Sequence, residues 1–336
     1  MMYLARKIYS KSAQKIRHTG RDMGYLLGIN KRFFNNARGN RILIYHGICL
    51  RNHTKFNPIF LTLKTFEEHL KLYKKHCHVI SLDDFYAQNF SKDKFNICLT
   101  FDDGFANNYK YVKPLLEKYQ LHATFFITAI RDTGYDILWN DFLGIISKYG
   151  PETISYKNQT YYKGQHDKYI SVDDGIKLVE KLRFADFTEK AEMMQLLYPL
   201  GNFKKNKADE DYWLQMTKEE IRDLSRSEFV TIGAHGYYHN DLSRIDPDKA
   251  TCELAKSKHY LESVTGKNIN SFAFPYGAYN PAVIDEAKKA GYNQLLAMDF
   301  LYDDDKRDAS MRERFTVNPF ISPVNQLYAT ITRHYD

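Results

Sequence analysis

Short β-rich runs alternate with helical patterns along most of this 336-residue chain, and this alternation constrains the fold more than any other feature. The apolar, strand-like runs lie at 41–45, 97–101, 123–128, 229–232, 271–274 and 294–298. Helical periodicity between them is clearest at 65–76 and 281–290. Strands separated by helices predict parallel βα units, and six such strands favour closure into a barrel over a small open sheet.

The segment from about residue 141 to residue 223 interrupts this alternation. Residues 157–158 are typical of a hairpin turn. Helix starts are predicted at Ser171 and at Thr217, the second with the Thr-x-x-Glu pattern of a capping box. We predict a mostly helical insertion between two barrel units, because no Gly/Ser-rich or Pro-rich linker sets it apart as a separate domain.

The positive charge of the chain is concentrated near its N-terminus. Residues 1–41 hold ten Lys and Arg against one acid, whereas the rest of the chain holds 38 bases and 40 acids, for a net charge of +7. We expect no nucleic-acid partner, because the body of the protein has no basic excess. We predict a basic helical arm over 1–40, followed by one barrel domain over 41–336 that contains the insertion.

Residues 1–17 carry an apolar helical stripe, and most of the basic residues lie away from it. Two interpretations are open: a helix packed on the barrel with a solvated basic side, and a helix in 1–20 that lies on a membrane surface. The same segment lacks the uninterrupted apolar core of a secretory signal, and no apolar run approaches the roughly 20 residues of a spanning helix. The stripe comprises Met1, Leu4, Ala5, Ile8, Ser12 and Ile16.

The cysteines indicate a reducing compartment. Cys49, Cys77, Cys98 and Cys252 are widely scattered and include no CxxC pair. A chain of this size has ample material for a core and needs no disulfide to stabilise it. We therefore expect a cytoplasmic protein, with peripheral membrane contact as the alternative that the arm leaves open.

Two adjacent carboxylates, Asp102 and Asp103, directly follow the run at 97–101 and precede Gly104. In a parallel barrel the C-terminal ends of the strands form the face that carries active sites. A strand-to-helix turn with a helix cap is the plainer explanation of Asp-Asp-Gly taken alone. The two carboxylates indicate an active site only if other reactive side chains follow neighbouring strands.

His235 and His239 follow the run at 229–232. If this segment is helical, a spacing of four places both rings on one side, where they can bind a single ion. Two unrelated solvent-facing histidines are the plainer alternative. Because the carboxylates and the histidines both follow apolar strands, the same barrel face gathers one carboxylate and two imidazoles. This set, with open positions, is typical of a catalytic metal site.

Two further strand ends carry polar groups. Tyr276 lies in a Phe-Pro-Tyr-Gly turn, where a backbone N–H could face a reacting group. His46 lies in a Tyr-His-Gly sequence near the N-terminus. Either one alone is explained by a turn or by a buried histidine. Four polar strand ends on one face together favour an active site.

Four motifs in this order resemble the polysaccharide deacetylases of carbohydrate esterase family 4. They are LTFDDGF at 99–105, ATFFI at 123–127, GAHGYYH at 233–239 and FAFPYG at 272–277. The resemblance extends from about residue 41 to residue 317. It implies a distorted (β/α)7 barrel, in agreement with the alternation of strands and helices.

The resemblance also implies roles for residues at matching positions. Asp103, His235 and His239 would bind a divalent metal, most often Zn²⁺. Asp102 would be the general base, and the backbone N–H of Tyr276 would help to stabilise the oxyanion. We therefore expect a metal-dependent hydrolase that acts on carbon–nitrogen bonds other than peptide bonds.

The chain departs from the common family pattern at two places. The acid histidine found late in many members has no clear match, but Tyr-His-Gly-Ile at 45–48 resembles the N-terminal motif of members that deacetylate poly-N-acetylglucosamine, so we predict His46 as the acid. Ala273 stands where an Arg-x-Pro-Tyr-Gly motif has the arginine that orients the base, and Arg314 is the candidate substitute. Trp139 and Asp141 are candidates for the wall of the substrate groove, with an ordinary helix start at Asp141 as the alternative.

These expectations converge on removal of acetyl groups from N-acetylated sugars of a polysaccharide or oligosaccharide. Two alternatives stay open from the sequence. One is a carbohydrate O-acetyl esterase on the same barrel. The other is a catalytically weak carbohydrate-binding protein that retains the barrel and its metal.

Overall fold

A computed structural model describes the backbone of residues 2–335 and the side chains of residues 12–335. The strands are β1 Asn40–Tyr45, β2 Ile48–Cys49, β3 Leu61–Thr62, β4 Cys77–Val79, β5 Phe95–Phe101, β6 Ala123–Ile127, β7 Thr153–Tyr156, β8 Gln159–Lys163, β9 Tyr169–Ser171, β10 Val230–Ala234, β11 Ser271–Ala273, β12 Gln294–Ala297, β13 Met311–Glu313 and β14 Phe315–Thr316. The helices are α1 Met2–Leu26, α2 Lys31–Asn36, α3 Leu63–His76, α4 Leu82–Tyr86, α5 Lys113–Tyr119, α6 Trp139–Tyr149, α7 Leu178–Arg183, α8 Phe187–Leu197, α9 Lys218–Leu224, α10 Pro247–Thr265, α11 Pro281–Lys289 and α12 Pro323–Thr332.

Eight parallel strands form a nearly closed barrel, in the order β13-β12-β11-β10-β6-β5-β1-β14. β13 pairs with β12 and β14 pairs with β1, and only Arg314 separates β13 from β14 along the chain. The segment 311–316 therefore joins the two edges of the sheet, and the eight strands occupy seven positions around the barrel. The predicted distorted (β/α)7 barrel is confirmed, and each of the six runs identified in the sequence is a barrel strand.

The central barrel strands are buried on both faces. All seven residues of β5 are buried, as expected for a parallel strand covered on one side by helices and on the other by the barrel interior. Ile42, Cys98 and Ala273, from three different strands, cluster with Leu82 and Phe85 of α4. This cluster fills the barrel interior, with α4 at the end where the strands begin.

The insertion contains helices α6, α7 and α8, as predicted, together with a three-stranded antiparallel sheet of β7, β8 and β9. The predicted hairpin is confirmed, because Lys157 and Asn158 both have positive φ between β7 and β8. The capping box at Thr217 is also confirmed, at the start of α9. The helix start predicted at Ser171 is wrong. Ser171 ends β9, and a bridge between Ile170 and Lys177 holds the intervening residues in a turn.

The basic arm is helical, and its second half packs against α12. The His18 ring hydrogen bonds to the Tyr335 carbonyl oxygen at 2.8 Å, and Ser322 Oγ donates to Asp22 Oδ1 at 2.6 Å. These contacts agree with the packed-helix interpretation. The stripe residues Met1, Leu4, Ala5 and Ile8 lie outside the described side chains. Among the described residues, every helix is too short or too polar to cross a bilayer.

Candidate active site

Five neighbouring barrel strands end within about two residues of one another on one face of the barrel. Tyr45 of β1 is level with Phe101 of β5, and Ala234 of β10 is level with both Ile127 of β6 and Phe272 of β11. The loops that follow these strands therefore meet. The predicted site residues in these loops are His46, Asp102, Asp103, His235 and Tyr276.

Asp103, His235 and His239 form a buried three-residue group. The Oδ1 atom of Asp103 lies 3.4 Å from Nε2 of His235 and 3.2 Å from Nε2 of His239. The ligand atoms of all three residues lie within 4.8 Å of one another. One carboxylate oxygen and two imidazole nitrogens that face a common point fit a divalent metal of the zinc class.

The other ring nitrogen of each histidine has its own partner. Nδ1 of His235 lies 2.7 Å from the Ala273 carbonyl oxygen, and Nδ1 of His239 lies 3.1 Å from the Tyr276 hydroxyl. A hydrogen on each Nδ1 satisfies these contacts and leaves the Nε2 lone pairs facing Asp103. Partners of this kind fix the ring orientation and the tautomer of metal-binding histidines.

The histidines converge without a helix, so the helical geometry considered for the pair is wrong. Residues 235–239 form an irregular loop in which Gly236 and His239 have φ of 79° and 58°. Asp103 also has positive φ, at 76°, and a Cβ at the following Gly104 would lie 2.9 Å from Ile127. Tight left-handed turns therefore bring the side chains together on both loops.

Asp102 is bound by Arg314 in a bidentate pair. Nη1 and Nη2 of Arg314 donate to Oδ1 and Oδ2 of Asp102 at 2.7 and 2.8 Å, and Nη1 also contacts Thr100 at 3.2 Å. Burial opposes ionisation of Asp102, but the charge and hydrogen bonds of Arg314, together with the nearby His235 ring, outweigh burial and hold the pKa of this carboxyl below its ordinary value. Ala273 is fully buried in the barrel interior, and the arginine expected near Asp102 instead comes from the junction of β13 and β14.

Asp103 differs from Asp102 in its partners. Burial alone would raise the pKa of the Asp103 carboxyl, but the adjacent His235 and His239 rings hold that pKa well below its ordinary value. The two neighbouring carboxylates thus face different groups, one a guanidinium and the other two imidazoles.

His46 lies beside this pair at the end of β1. The Asp102 amide donates to the Tyr45 carbonyl oxygen at 3.0 Å, which places His46 opposite Asp102. The ring is partly exposed, and within residues 12–335 no protein group hydrogen bonds to it. Burial lowers the pKa of His46, while the charges of Asp103 and Asp102 oppose this effect. Both ring nitrogens are therefore available to a bound molecule.

Tyr276 closes the other side of the site. Its backbone is left-handed, with φ of 60°, and its ring lies 4.5 Å from the His239 ring, centre to centre. The Arg183 guanidinium of α7 also lies over the Tyr276 ring, 4.7 Å from its centre. The turn at Pro275–Gly277 thus brings the Tyr276 backbone and hydroxyl next to the loop of residues 235–239, which we call the histidine loop.

The insertion contributes contacts that the motifs do not reveal. Trp139 Nε1 donates to the His239 carbonyl oxygen at 3.4 Å. Lys190 is fully buried, its ammonium donates to Asn240 Oδ1 at 2.6 Å, and burial lowers its pKa to about 8. Trp139 was a candidate wall residue, whereas Lys190 carries no sequence signal because a lysine in a helix is usually solvent-exposed.

Glu253 of α10 fills the inside of the histidine loop. Its Oε1 accepts from the Tyr238 amide at 2.9 Å, and its Oε2 accepts from Asn240 Nδ2 at 3.0 Å. A Cβ at Gly236 would lie 3.1 Å from the same Oε1. The loop is therefore built around the Glu253 carboxylate, which the sequence reasoning also missed.

Asp141 is buried next to the site and lies in the first turn of α6, so a helix does start here, although Leu138 and not Asp141 occupies the cap position. Burial, together with the nearby Asp103 charge, raises the pKa of the Asp141 carboxyl well above its ordinary value. Its surroundings therefore disfavour the charged form of this carboxyl.

The sequence profile described as polysaccharide deacetylase matches residues 90–154 and 161–295, which is more than half of the chain. The chain belongs to the polysaccharide deacetylase family. Two relatives come from Bacillus subtilis: YlxY is 28% identical over 138 residues and YxkH is 19% identical over 255 residues. The chain spans 39% of the length of YlxY and 61% of that of YxkH.

Solved structures share the barrel. The deacetylase PplD from Streptococcus pyogenes has a TM-score of 0.55 at 18% identity, over 87% of this chain and 97% of that one. The polysaccharide deacetylase BC0361 from Bacillus cereus has a TM-score of 0.54 at 18% identity, over 87% and 69%. IcaB from Ammonifex degensii has a TM-score of 0.51 at 14% identity, over 88% and 98%. These likenesses establish the deacetylase barrel fold.

Proposed function

We propose that this member of the polysaccharide deacetylase family is a metal-dependent hydrolase that removes acetyl groups from N-acetylated sugars. The observation that carries the proposal is the division between two adjacent carboxylates. Asp103 faces two histidine Nε2 atoms, whereas Asp102 is held by the Arg314 guanidinium. Asp103 is thus suited to bind a cation. Asp102, which lies outside that group, is suited to exchange a proton.

Asp103, His235 and His239 would hold the metal, and their donor set favours Zn²⁺. When bound, the metal supplies Lewis acidity, which polarises an acetyl carbonyl and lowers the pKa of water. Three protein ligands leave coordination positions open, as in catalytic sites, whereas a structural zinc site has four protein ligands.

The remaining groups serve proton transfer and charge stabilisation. Water attacks the acetyl carbonyl carbon, and Asp102 accepts its proton while Arg314 keeps both carboxylate oxygens oriented. The Tyr276 backbone N–H donates a hydrogen bond to the oxyanion that forms. When the C–N bond breaks, its electron pair stays on nitrogen, and His46 supplies the proton that this nitrogen needs. The products are acetate and a free amine on the sugar.

The substrate class rests on the family. The family is that of polysaccharide deacetylases, and the structure of PplD was determined in complex with acetate. We infer an acetylated oligosaccharide or polysaccharide as the partner of this chain.

Cytoplasmic location, with or without membrane contact of the arm, stays a prediction.

Acetate release tests the proposal directly. The full chain is loaded with Zn²⁺, incubated with N-acetylglucosamine oligomers and, in parallel, with O-acetylated oligosaccharides, and acetate is measured. We expect release from the N-acetylated oligomers that Asp102→Asn abolishes, while Asp93→Asn, at an exposed site, retains the parent rate. Release from O-acetylated sugars alone would favour the esterase alternative. Binding of both oligomers without any acetate would favour the carbohydrate-binding alternative.

A further inference from the structure

The barrel is open along the first half of its seam. β14 pairs with β1 only at Leu43 and Ile44, and β13 pairs with β12 alone, so that residues 40–42 have no strand partner on this side within residues 2–335. A cavity of about 250 Å³ occupies the gap between β1 and β13. We call it the seam cavity. Its basic lining residues are Arg41, Lys306, Arg312, Arg314 and Arg333.

The seam cavity is separate from the catalytic face. Arg41 lies five residues before His46 along β1. At about 3.3 Å per residue, the two positions are roughly 16 Å apart. The cavity extends from the outer surface, where the Arg41 Nε donates to the Thr330 carbonyl oxygen, to the barrel interior, where Arg312 lies over the Tyr86 ring.

Charges in the seam cavity are only partly balanced. Arg333 pairs with Glu313 at 2.5 Å, and Arg314 pairs with Asp102. Across the described part of the chain, Arg41, Lys306 and Arg312 pair with no carboxylate. Burial and the charge of Arg333 lower the pKa of Arg41, while the charge of Glu313 opposes them.

A second observation is an unpartnered buried donor on one of the lining residues. Arg314 is 5% exposed, and its Nε is buried without a hydrogen-bond partner, although its other two nitrogens bind Asp102. Buried donors without partners are rare in folded proteins. Guanidinium groups present N–H donors in a fixed fork that matches the oxygens of phosphate and carboxylate.

We propose that the seam cavity is a binding site for a phosphate-class oxyanion of charge −2 or more. Three uncompensated cations favour a multiply charged anion over a monovalent one, and the cavity volume accommodates a phosphate group with part of a linked sugar. Apart from Arg314, which binds Asp102, the basic residues of the cavity belong to the seam and not to the catalytic face. This site therefore does not depend on the proposed deacetylase activity.

Anion titration tests the site on the full, metal-loaded chain at low ionic strength, where charge interactions are least screened. Inorganic phosphate binding is measured by calorimetry in the parent, Arg41→Gln and Lys306→Gln. We expect at least tenfold weaker binding in Arg41→Gln and severalfold weaker binding in Lys306→Gln. Lys306 is exposed, so its substitution leaves the fold intact. Lys207→Gln, an exposed lysine outside the cavity, is the matched control and should bind as the parent does.

Equal affinity in the parent, Arg41→Gln and Lys306→Gln would overturn the proposal. Binding that is lost in Asp103→Ala but retained in Arg41→Gln would also overturn it, because the anion would then occupy the catalytic site. Acetate should bind more than tenfold more weakly than phosphate, and equal affinities would contradict the charge argument. A comparison of inorganic phosphate with N-acetylglucosamine 6-phosphate distinguishes a free anion from a phosphorylated sugar as the source.

Discussion

The barrel loops and the insertion contribute to the candidate site in different ways. The loops after β1, β5, β10 and β11 carry every group assigned to metal binding or proton transfer. The insertion contributes groups that contact the loop backbone and rings: Trp139 bonds to the His239 carbonyl oxygen, Lys190 bonds to Asn240, and Arg183 lies against Tyr276. The reacting groups thus come from strand ends, and the insertion fixes the loop that carries the second histidine.

This difference predicts a graded response to substitution. Loss of a barrel-loop group should remove the metal or the chemistry itself. Loss of an insertion contact should weaken metal binding while the metal-saturated protein keeps most of its turnover. The predictions below run from the largest expected effect to the smallest.

The double change His235→Ala and His239→Ala should abolish both bound metal and activity. Two of the three ligands are lost, and a lone carboxylate does not retain zinc. Metal analysis of the purified protein with an acetate assay checks this. Asp141→Asn is the control, because it replaces a buried carboxyl outside the three-residue group by a group of the same shape and should keep the metal. A full metal content in the double variant would place the metal elsewhere.

His46→Ala should lower kcat by about 10²–10⁴-fold, the range expected when a general acid is removed. Its metal content should equal that of the parent, since His46 is outside the Asp103, His235 and His239 group. Steady-state kinetics on N-acetylated oligomers gives the comparison. A loss of less than about tenfold would assign the acid role to another group.

Arg314→Lys should lower kcat by about 10–100-fold with the metal retained, because a lysine cannot reproduce the bidentate contact with Asp102. A rescue variant sharpens the test. Ala273→Arg in an Arg314→Ala background restores an arginine at the position that the family motif uses. Recovery of activity in that double variant would support orientation of Asp102 as the role of Arg314, and a parent-like rate in Arg314→Lys would rule that role out.

Lys190→Met and Glu253→Gln should each weaken metal affinity about tenfold, as is typical when groups that orient metal ligands are lost. At saturating metal, kcat should stay within severalfold of the parent value. Competition with a chelator measures the affinity, and Lys207→Met is the exposed control. A large loss of kcat with unchanged metal affinity in Lys190→Met would show that the insertion takes part in the chemistry.

The strands and their reactive ends could be predicted from the sequence because each signal is local. A buried parallel strand is a short apolar run, and Asp102, Asp103, His235 and His239 lie within a few residues of such runs. The irregular histidine loop was not predictable from the spacing, because His-x-x-x-His also fits a helix. It is imposed by the positive φ of His239 and by a carboxylate on α10.

Contacts between distant segments had no signal in the sequence. Lys190 and Asn240 are 50 residues apart, and Arg314 and Asp102 are 212 residues apart. Arg314 was identified as a candidate only because Ala273 left a role unfilled. Ser171 failed as a helix start because its Ser-x-Asp-Asp pattern suits a turn as well as a cap, and pairing with β8 decided between them.

The central claim is that the two adjacent carboxylates have different roles, and a paired measurement tests it. Metal content and acetate release are determined side by side for Asp102→Asn and Asp103→Asn. The account predicts one metal ion per chain and at least 10²-fold slower turnover in Asp102→Asn, and loss of both metal and activity in Asp103→Asn. A metal-loaded Asp102→Asn that works at the parent rate, or equal metal loss in both variants, would contradict it.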